Sequence, residues 1–190
     1  MKKSKLEAAK TRRRIVKTAA AEFRRNGIHA TGLSDVMAAA GLTHGGFYRH
    51  FDSKDQLVAE ACAAAMESAG ETTEASACHG VGNDALEAIV TSYLSADHRD
   101  NQSEGCLLAG LGSELARSDD KTRAVATAGF LKLVDVLTKQ YRQTTPKTAK
   151  ARALVAASAM IGAVMMSRIV TDPKLSAAIL QHTKSHLTHM

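Results

Sequence analysis

The segment 40–51, AGLTHGGFYRHF, combines apolar side chains that could form a core with polar groups that could bind another molecule. Phe47 and Phe51 are four residues apart, so on a short helix they share one inward face. The opposite face carries His44, Gly45, Tyr48 and Arg49. The segment therefore predicts a short helix that presents hydrogen-bonding groups outward.

The outward groups have the chemistry that recognition of duplex DNA requires. Arg49 could pair bidentately with a guanine, or it could contact only the phosphate backbone. Tyr48 offers a single hydroxyl, which suits a phosphate oxygen. Gly45 and Gly46 each cost a helix about 1 kcal/mol relative to alanine, and a close approach of the backbone to a groove would explain them. His50 is interpreted as a packing or capping residue.

The elements that must position this segment follow from the neighbouring pattern. Residues 8–26 place Ile15, Ala19 and Phe23 on one stripe, which predicts an amphipathic helix. Gly41 permits a sharp turn, and Thr43 can cap the next helix. Three short helices in this order match the helix-turn-helix plan, in which the third helix enters the major groove.

The composition predicts an all-α protein. Hydrophobic residues make up 45% of the 190 residues, aromatic residues only 4%, and tryptophan is absent. Such a core suits helix packing better than sheet packing. We expect a DNA-binding domain at 1–52, a ligand-binding and dimerisation domain at 53–190, and about nine helices, at 8–26, 33–40, 44–50, 54–75, 84–97, 105–117, 119–142, 147–171 and 174–187.

Charge is distributed unevenly along the chain. Residues 1–25 hold ten basic and two acidic residues, whereas the remaining chain holds fifteen basic and seventeen acidic ones. A basic end suits a polyanionic partner, because neutralised phosphates release counterions. A solubilising tail, or a non-specific nucleic-acid or membrane-surface binder, would carry the same charge.

Several other classes of protein are disfavoured. Three cysteines without zinc spacing favour a reduced, cytoplasmic location, and we expect no signal peptide. The apolar run 154–170 is read as an interface helix and not as a membrane span. No G-x-S-x-G, P-loop or HExxH motif occurs, so we expect no enzyme and no cofactor. His182 and His186 are read as a solvated face, so no metal site is expected.

Residues 11–61 resemble the DNA-binding head of the tetracycline-repressor (TetR) family. The series Gly27…Thr31…AAAG…T-x-G-x-FY-x-HF-x-x-K-x-x-L aligns over some fifty residues without a gap. The resemblance implies a homodimer that binds a palindromic operator and is released by a small-molecule effector. It also implies the DNA contacts: Thr43, Gly45 and Tyr48, with His44 and Arg49 as candidate base readers, and Lys54 with Thr31 or Gly32 at phosphates.

The family likeness is weaker in the body of the chain, where the last two helices are expected to form the dimer interface. Small residues and methionines there favour close helix packing. The residues expected near the interface are Met160, Val164, Met165 and Ile169; the alternative is that they pack only internally.

Residues 105–117, GCLLAGLGSELAR, resemble the start of the ligand-domain core in part of the family. We expect a pocket for an apolar or aromatic molecule, lined by Met66, Tyr93, Cys106, Leu107, Leu108, Leu111 and Phe130. Cys106 could be a sensor thiol, which needs access and a lowered pKa, or a small buried hydrophobe, which is the more common case.

Overall fold

The computed structural model describes residues 5–78, 83–141 and 144–189. Within these ranges the regular structure is entirely helical, which confirms the predicted all-α class. The elements are α1 (Lys5–Asn26), α2 (Leu33–Ala39), a 3₁₀ helix (His44–Arg49), α3 (Lys54–Ala77), α4 (Asn83–Tyr93), α5 (Ala96–Asp100), α6 (Leu107–Leu115), α7 (Asp120–Thr138), α8 (Pro146–Ile169) and α9 (Pro173–Thr188). Lys2, Lys3, part of the segment between the helices predicted at 54–75 and 84–97, and the predicted helix end at Arg142 lie outside the described residues.

Short polar residues begin several of the helices. The Ser53 hydroxyl accepts from the Gln56 amide at 3.1 Å, and the Asp119 carboxylate accepts from the Thr122 amide at 2.8 Å. These caps satisfy amides that the first turn of a helix leaves unpaired. Pro146 and Pro173 each lie in the first turn of a helix, where the missing N–H costs nothing.

Two predicted helices differ in the structure. The segment expected as a helix at 44–50 is a 3₁₀ helix. Its two glycines disfavour a longer α-helical run, and 3₁₀ helices are typically short. The helix expected at 84–97 ends at Tyr93, and α5 begins at Ala96. The cause is Ser95, whose hydroxyl accepts from the His98 amide at 3.1 Å and so caps a new helix.

We call α1, α2 and the 3₁₀ helix, with their connections, the head (residues 5–52), and α3–α9 the body. The buried core of the head includes Ile15, Phe23 and Phe47, and it continues without a break into Leu107 and Leu111 of α6. A second core lies wholly in the body, between α4, α7, α8 and α9. The head is therefore joined to the body through a shared apolar core and not by a linker alone.

Helix α8 is the one described helix that is long and apolar enough to cross a membrane. It packs along α7 and α9, with Ala153, Ala156, Met160 and Val164 fully buried. The buried side of α8 thus belongs to the core of the helical body.

Leu111 provides a test of the shared core. It is 2% exposed and packs in the core that joins head and body. Leu111→Ala should lower the free energy of unfolding by about 2–5 kcal/mol, because a buried leucine leaves a cavity when truncated. Urea denaturation would measure it. Leu131→Ala, at a leucine 43% exposed on α7, is the control and should change the value by less than about 0.5 kcal/mol. Equal effects would contradict the assignment.

Candidate nucleic-acid interface and ligand cavity

The 3₁₀ helix rests on an aromatic pair. The Phe47 and Phe51 rings stack with centroids 5.4 Å apart, and both residues are essentially fully buried. The Arg12 guanidinium lies 4.5 Å from the centroid of the Phe51 ring, and the Phe47 ring meets the edge of Tyr48 at 5.1 Å. These contacts fix which side of the 3₁₀ helix faces outward.

The outward edge consists of the five residues expected to meet DNA in this segment: Thr43, His44, Gly45, Tyr48 and Arg49. All are exposed, and Tyr48 is 67% exposed despite its size. A Cβ atom on Gly45 would meet nothing within 4 Å, so the protein itself gives no reason for a glycine there. We call this edge the reading edge.

The polar groups of the reading edge are not used by the chain. Thr43 occupies the N-cap position of the 3₁₀ helix, as expected, but its hydroxyl makes no capping hydrogen bond. Within the described residues, the side chains of His44, Tyr48 and Arg49 form no hydrogen bond or ion pair with the chain. Exposed donors without partners are what an external ligand requires.

The remaining predicted DNA contacts hold the turn between α1 and α2. The Lys54 ammonium donates to the carbonyls of Ile28 and Thr31 at 2.8 and 2.7 Å. The Thr31 hydroxyl is buried and donates to the Gly27 carbonyl at 2.6 Å. Gly32 is the N-cap of α2, and its amide donates to the Asp35 carboxylate at 2.9 Å. Lys54 keeps one N–H beyond these two bonds, so a phosphate contact stays a prediction.

Two contacts between head and body, made by Arg12 and by Glu114, were not predicted from the sequence. Arg12 forms a bidentate ion pair with Glu60 of α3, and this pairing lowers the pKa of the Glu60 carboxyl. Glu114 of α6 accepts from the backbone amide of His29 at 2.9 Å and lies 2.7 Å from its ring nitrogen. Both pairs join residues far apart in sequence, so no local spacing could have indicated them.

The exposed cations of α1 add a positive face to the head. Those without an acidic partner in the described part of the chain are Lys5, Lys10, Arg13, Arg14 and Lys17; exposed Arg25 pairs with Glu22. Arg12 is excluded from this set by its pairing with Glu60. The sequence prediction of a basic N-terminal segment is thus refined to a group of free cations on one helix.

The body contains a cavity of about 610 Å³ between α3, α4, α5 and α7. Its apolar wall includes Ile89, Leu108, Leu133 and Val136. Its lining from α3 is rich in hydroxyl groups, from Ser68, Thr72, Thr73 and Ser76. The size falls within the range of small-molecule sites.

The α3 hydroxyls present acceptors to the cavity. Thr72, Thr73 and Ser76 each donate to a carbonyl one turn earlier in α3, at 3.0, 2.8 and 3.0 Å. Their oxygen lone pairs remain free. The spacing of these residues in an alanine-rich helix was visible in the sequence and could have predicted a polar wall.

Four of the seven residues expected at the pocket line the cavity: Met66, Tyr93, Cys106 and Leu108. Leu107 and Leu111 lie instead in the core shared with the head. Phe130 packs against the second core. Leu107 and Leu111, four residues apart on α6, share one face of the helix, whereas Leu108 is turned about 100° away from Leu107, a difference that the prediction did not consider.

His98 bridges two parts of the cavity wall. Its Nδ1 donates to the Tyr93 carbonyl at 2.6 Å, and its Nε2 accepts from the Cys106 amide at 2.9 Å. An imidazole that both donates and accepts is neutral. Burial is the main cause that lowers the pKa of His98. We call this arrangement the His98 bridge.

The three cysteines differ in their surroundings. Burial raises the pKa of the Cys62 thiol to about 11, which disfavours a reactive thiolate there. Cys78 is exposed, and Cys106 is buried at the cavity wall. The Cys106 thiol is therefore placed beside the cavity, while its sensor role stays a prediction.

The residues expected at the dimer interface separate into two pairs. Met160 and Val164 are fully buried inside the chain, so they pack internally. Met165 and Ile169 are 39% and 62% exposed. They belong to a set of exposed apolar residues on α8 and at the start of α9, which we call the α8 stripe: Leu154, Val155, Met165, Met166, Ile169 and Leu175.

The His98 bridge predicts a pH dependence of stability. In the unfolded chain the pKa of a histidine is about 6.5, and the pKa of His98 in the folded protein is lower. The stabilisation by the neutral bridge should be complete above the unfolded pKa and should be lost as the pH falls toward the folded pKa. Urea denaturation between pH 7.5 and 5.5 would measure the loss. His98→Gln should flatten the profile, whereas exposed His182→Gln should not; identical profiles for both would refute the bridge.

Comparison with known proteins identifies the family. Residues 15–61 match the model described as "Bacterial regulatory proteins, tetR family". An HTH-type transcriptional regulator of Mycobacterium tuberculosis is 30% identical over 174 residues, covering 85% of this chain and 86% of that protein. The probable acrEF/envCD operon repressor of Escherichia coli is 44% identical over 59 residues, which are 31% of this chain and 27% of that protein.

A solved structure shares the fold over most of the chain. AibR, in complex with isovaleryl coenzyme A and operator DNA, superposes with a TM-score of 0.68 at 21% identity, covering 94% of this chain and 98% of that one. The matches thus extend from the helix-turn-helix head through the helical body. The chain belongs to the TetR family of transcriptional regulators.

Proposed function

We propose that this regulator binds a palindromic operator as a homodimer, represses transcription, and is released by a small-molecule effector. The observation that carries the proposal is the reading edge, whose donors have no partner in the described chain and whose glycine has no structural cause. The division of labour is the one expected from the sequence: 1–52 binds DNA, and 53–190 binds the effector and dimerises. The protein acts in the cytoplasm as a regulator, without enzymatic activity.

The reading edge suits the major groove. A groove about 12 Å wide admits a helix, and the absence of a side chain at Gly45 lets the backbone approach the bases. Tyr48 and Thr43 offer hydroxyls to phosphates, while His44 and Arg49 offer donors to base edges. The exposed cations of α1 add sequence-independent attraction. A basic protein that binds DNA without sequence preference would not need base-reading groups such as those of the reading edge.

Two substitutions separate positioning from reading. Arg49→Ala should cost about 1–3 kcal/mol at one base position of the operator, because a bidentate contact to guanine is lost. Tyr48→Phe should weaken binding to all sequences alike, because only a phosphate contact is lost. Mobility-shift titrations with upstream DNA and single-base variants would measure both. A uniform loss in Arg49→Ala would place Arg49 at the backbone, and a changed base preference in Tyr48→Phe would refute its phosphate role.

The cavity is the proposed effector site. Its apolar wall fits the apolar or aromatic molecule expected from the sequence, and the α3 acceptors suit a donor group on that molecule. AibR, which shares the fold, is described with operator DNA and isovaleryl coenzyme A together. The repressor direction is supported by the name of the Escherichia coli relative. An effector acts only if it binds the released conformation more tightly than the DNA-bound one.

The α8 stripe supports the homodimer. Exposed apolar residues that share one face of a helix are typical of an interaction site, and their spacing along α8 fits a facing helix of a second copy. A two-fold axis there would place two reading edges about 34–36 Å apart, one turn of DNA. We propose Met165 and Ile169 at this interface. Met160 and Val164 are buried on the inner side of the same helix.

The dimer is tested at Ile169. Ile169→Glu should shift the protein from dimer to monomer at micromolar concentration, since the substitution buries a charge in an apolar interface. Sedimentation equilibrium would measure the mass. Leu131→Glu is the matched control, at an exposed leucine of α7 outside the stripe, and should stay dimeric. A monomeric wild-type protein, or equal effects of the two variants, would contradict the proposal.

A further inference from the structure

The cavity wall is tied by arginines to helices on either side of it. Residues 95–106, which we call the wall segment, contain α5 and the turn before α6. They contribute seven residues to the cavity: Ser95, Asp97, His98, Asn101, Glu104, Gly105 and Cys106. The backbone carbonyls of this segment accept hydrogen bonds from two arginines that belong to α1 and α8.

Arg24 of α1 makes the tie to the head. Its Nε donates to the Ser103 carbonyl at 2.6 Å, across 79 residues of sequence. The residue before it, Phe23, is 1% exposed in the head core. Burial lowers the pKa of the Arg24 guanidinium, with Glu104 the carboxylate that acts most strongly against this. A partly buried cation that faces the body is not used for a surface phosphate.

Arg25, the residue after Arg24, is a surface arginine at the same end of α1. It pairs with Glu22 of its own helix at 2.8 Å, and its side chain is 54% exposed. The two neighbouring arginines therefore have separate roles, which makes Arg25 a matched control for Arg24.

Arg168 of α8 makes the tie on the other side. Its Nε donates to the Arg99 carbonyl and its Nη2 to the His98 carbonyl, both at 2.9 Å. A Cβ atom on Gly105 would lie 2.7 Å from that Nη2, so only glycine lets the guanidinium approach. The helix that carries the α8 stripe thus binds the same wall segment as the head does.

We propose that the wall segment transmits effector occupancy to the DNA-reading head through the Arg24–Ser103 hydrogen bond, with Arg168 anchoring the segment to the dimerisation helix. The proposal rests on the cavity being the effector site, as proposed above. It adds a route that does not pass along α3, the helix that also runs from the head to the cavity. A ligand that displaces the wall segment moves the Ser103 carbonyl relative to α1.

Energetic coupling is reciprocal, so the route can be tested in the opposite direction without an effector or DNA. Val36→Ala loosens the head, because Val36 is fully buried in α2. Hydrogen exchange of residues 98–106, followed by mass spectrometry, reports on the wall segment. We expect Val36→Ala to accelerate this exchange roughly fivefold or more, the low end of couplings between sites.

The result depends on the background in which Val36→Ala is made. The acceleration should persist with Arg25→Met and disappear with Arg24→Met. The same acceleration in the Arg24→Met background, or none in the wild-type background, would overturn the proposal. Should Arg24→Met fail to unfold cooperatively, Arg24→Lys replaces it, since lysine keeps the charge and loses the planar donor; unchanged acceleration there also overturns the proposal.

No nucleic acid enters this experiment. A failure of operator binding would appear in the mobility-shift titrations and would leave the exchange result standing. A failure of the Arg24 route would appear only in the exchange cycle.

Discussion

The stacking of Phe47 on Phe51 determines how the head can meet another molecule. Both rings are buried, so the 3₁₀ helix can rotate neither toward nor away from the core without exposing an aromatic ring. Burying such rings dominates core energetics, whereas the hydroxyls and guanidinium on the opposite face contribute little to folding. The reading edge is therefore free to be selected for recognition alone. Gly41, with a positive φ of 66°, makes the turn that brings this helix against α2.

The head is not a separate domain connected to the body only by a linker. Apolar residues of α6 complete its core, and Arg12, Arg24, Lys54 and Glu114 each cross the boundary with a hydrogen bond or ion pair. Arg24, Lys54 and Glu114 make their bonds at or just beyond the C-terminal end of α1, and Arg12 makes its bond two turns into that helix. These contacts support the proposal that a rearrangement of the body reaches the helix that supports the reading edge. Such rigid coupling is what a ligand-controlled DNA binder requires, because a flexible linker would isolate the two sites.

The sequence predicted the all-helical class from composition and periodicity, and the outward placement of His44, Gly45, Tyr48 and Arg49 from local spacing. Thr43 was added to this edge only by the family resemblance. Phe47 and Phe51 at a spacing of four and Gly41 at the turn each indicate one local structure. The cavity was predicted in part: Met66, Tyr93 and Cys106 line it, but the separation of Leu108 from Leu107 depends on how α6 is rotated. Ser95 as a helix cap was a local signal that the prediction overlooked. Arg24 with Ser103 and Glu114 with His29 are bonds between distant residues, and a single sequence holds no signal for them.

We propose above all that the edge from Thr43 to Arg49 enters the major groove of a two-fold symmetric operator. Footprinting of the wild-type protein on DNA upstream of its own gene is the decisive test. We expect two protected half-sites related by a dyad, with centres one turn of DNA apart, and loss of both with Arg49→Ala and Tyr48→Phe combined. Protection without a dyad, or protection that survives the double substitution, would contradict it.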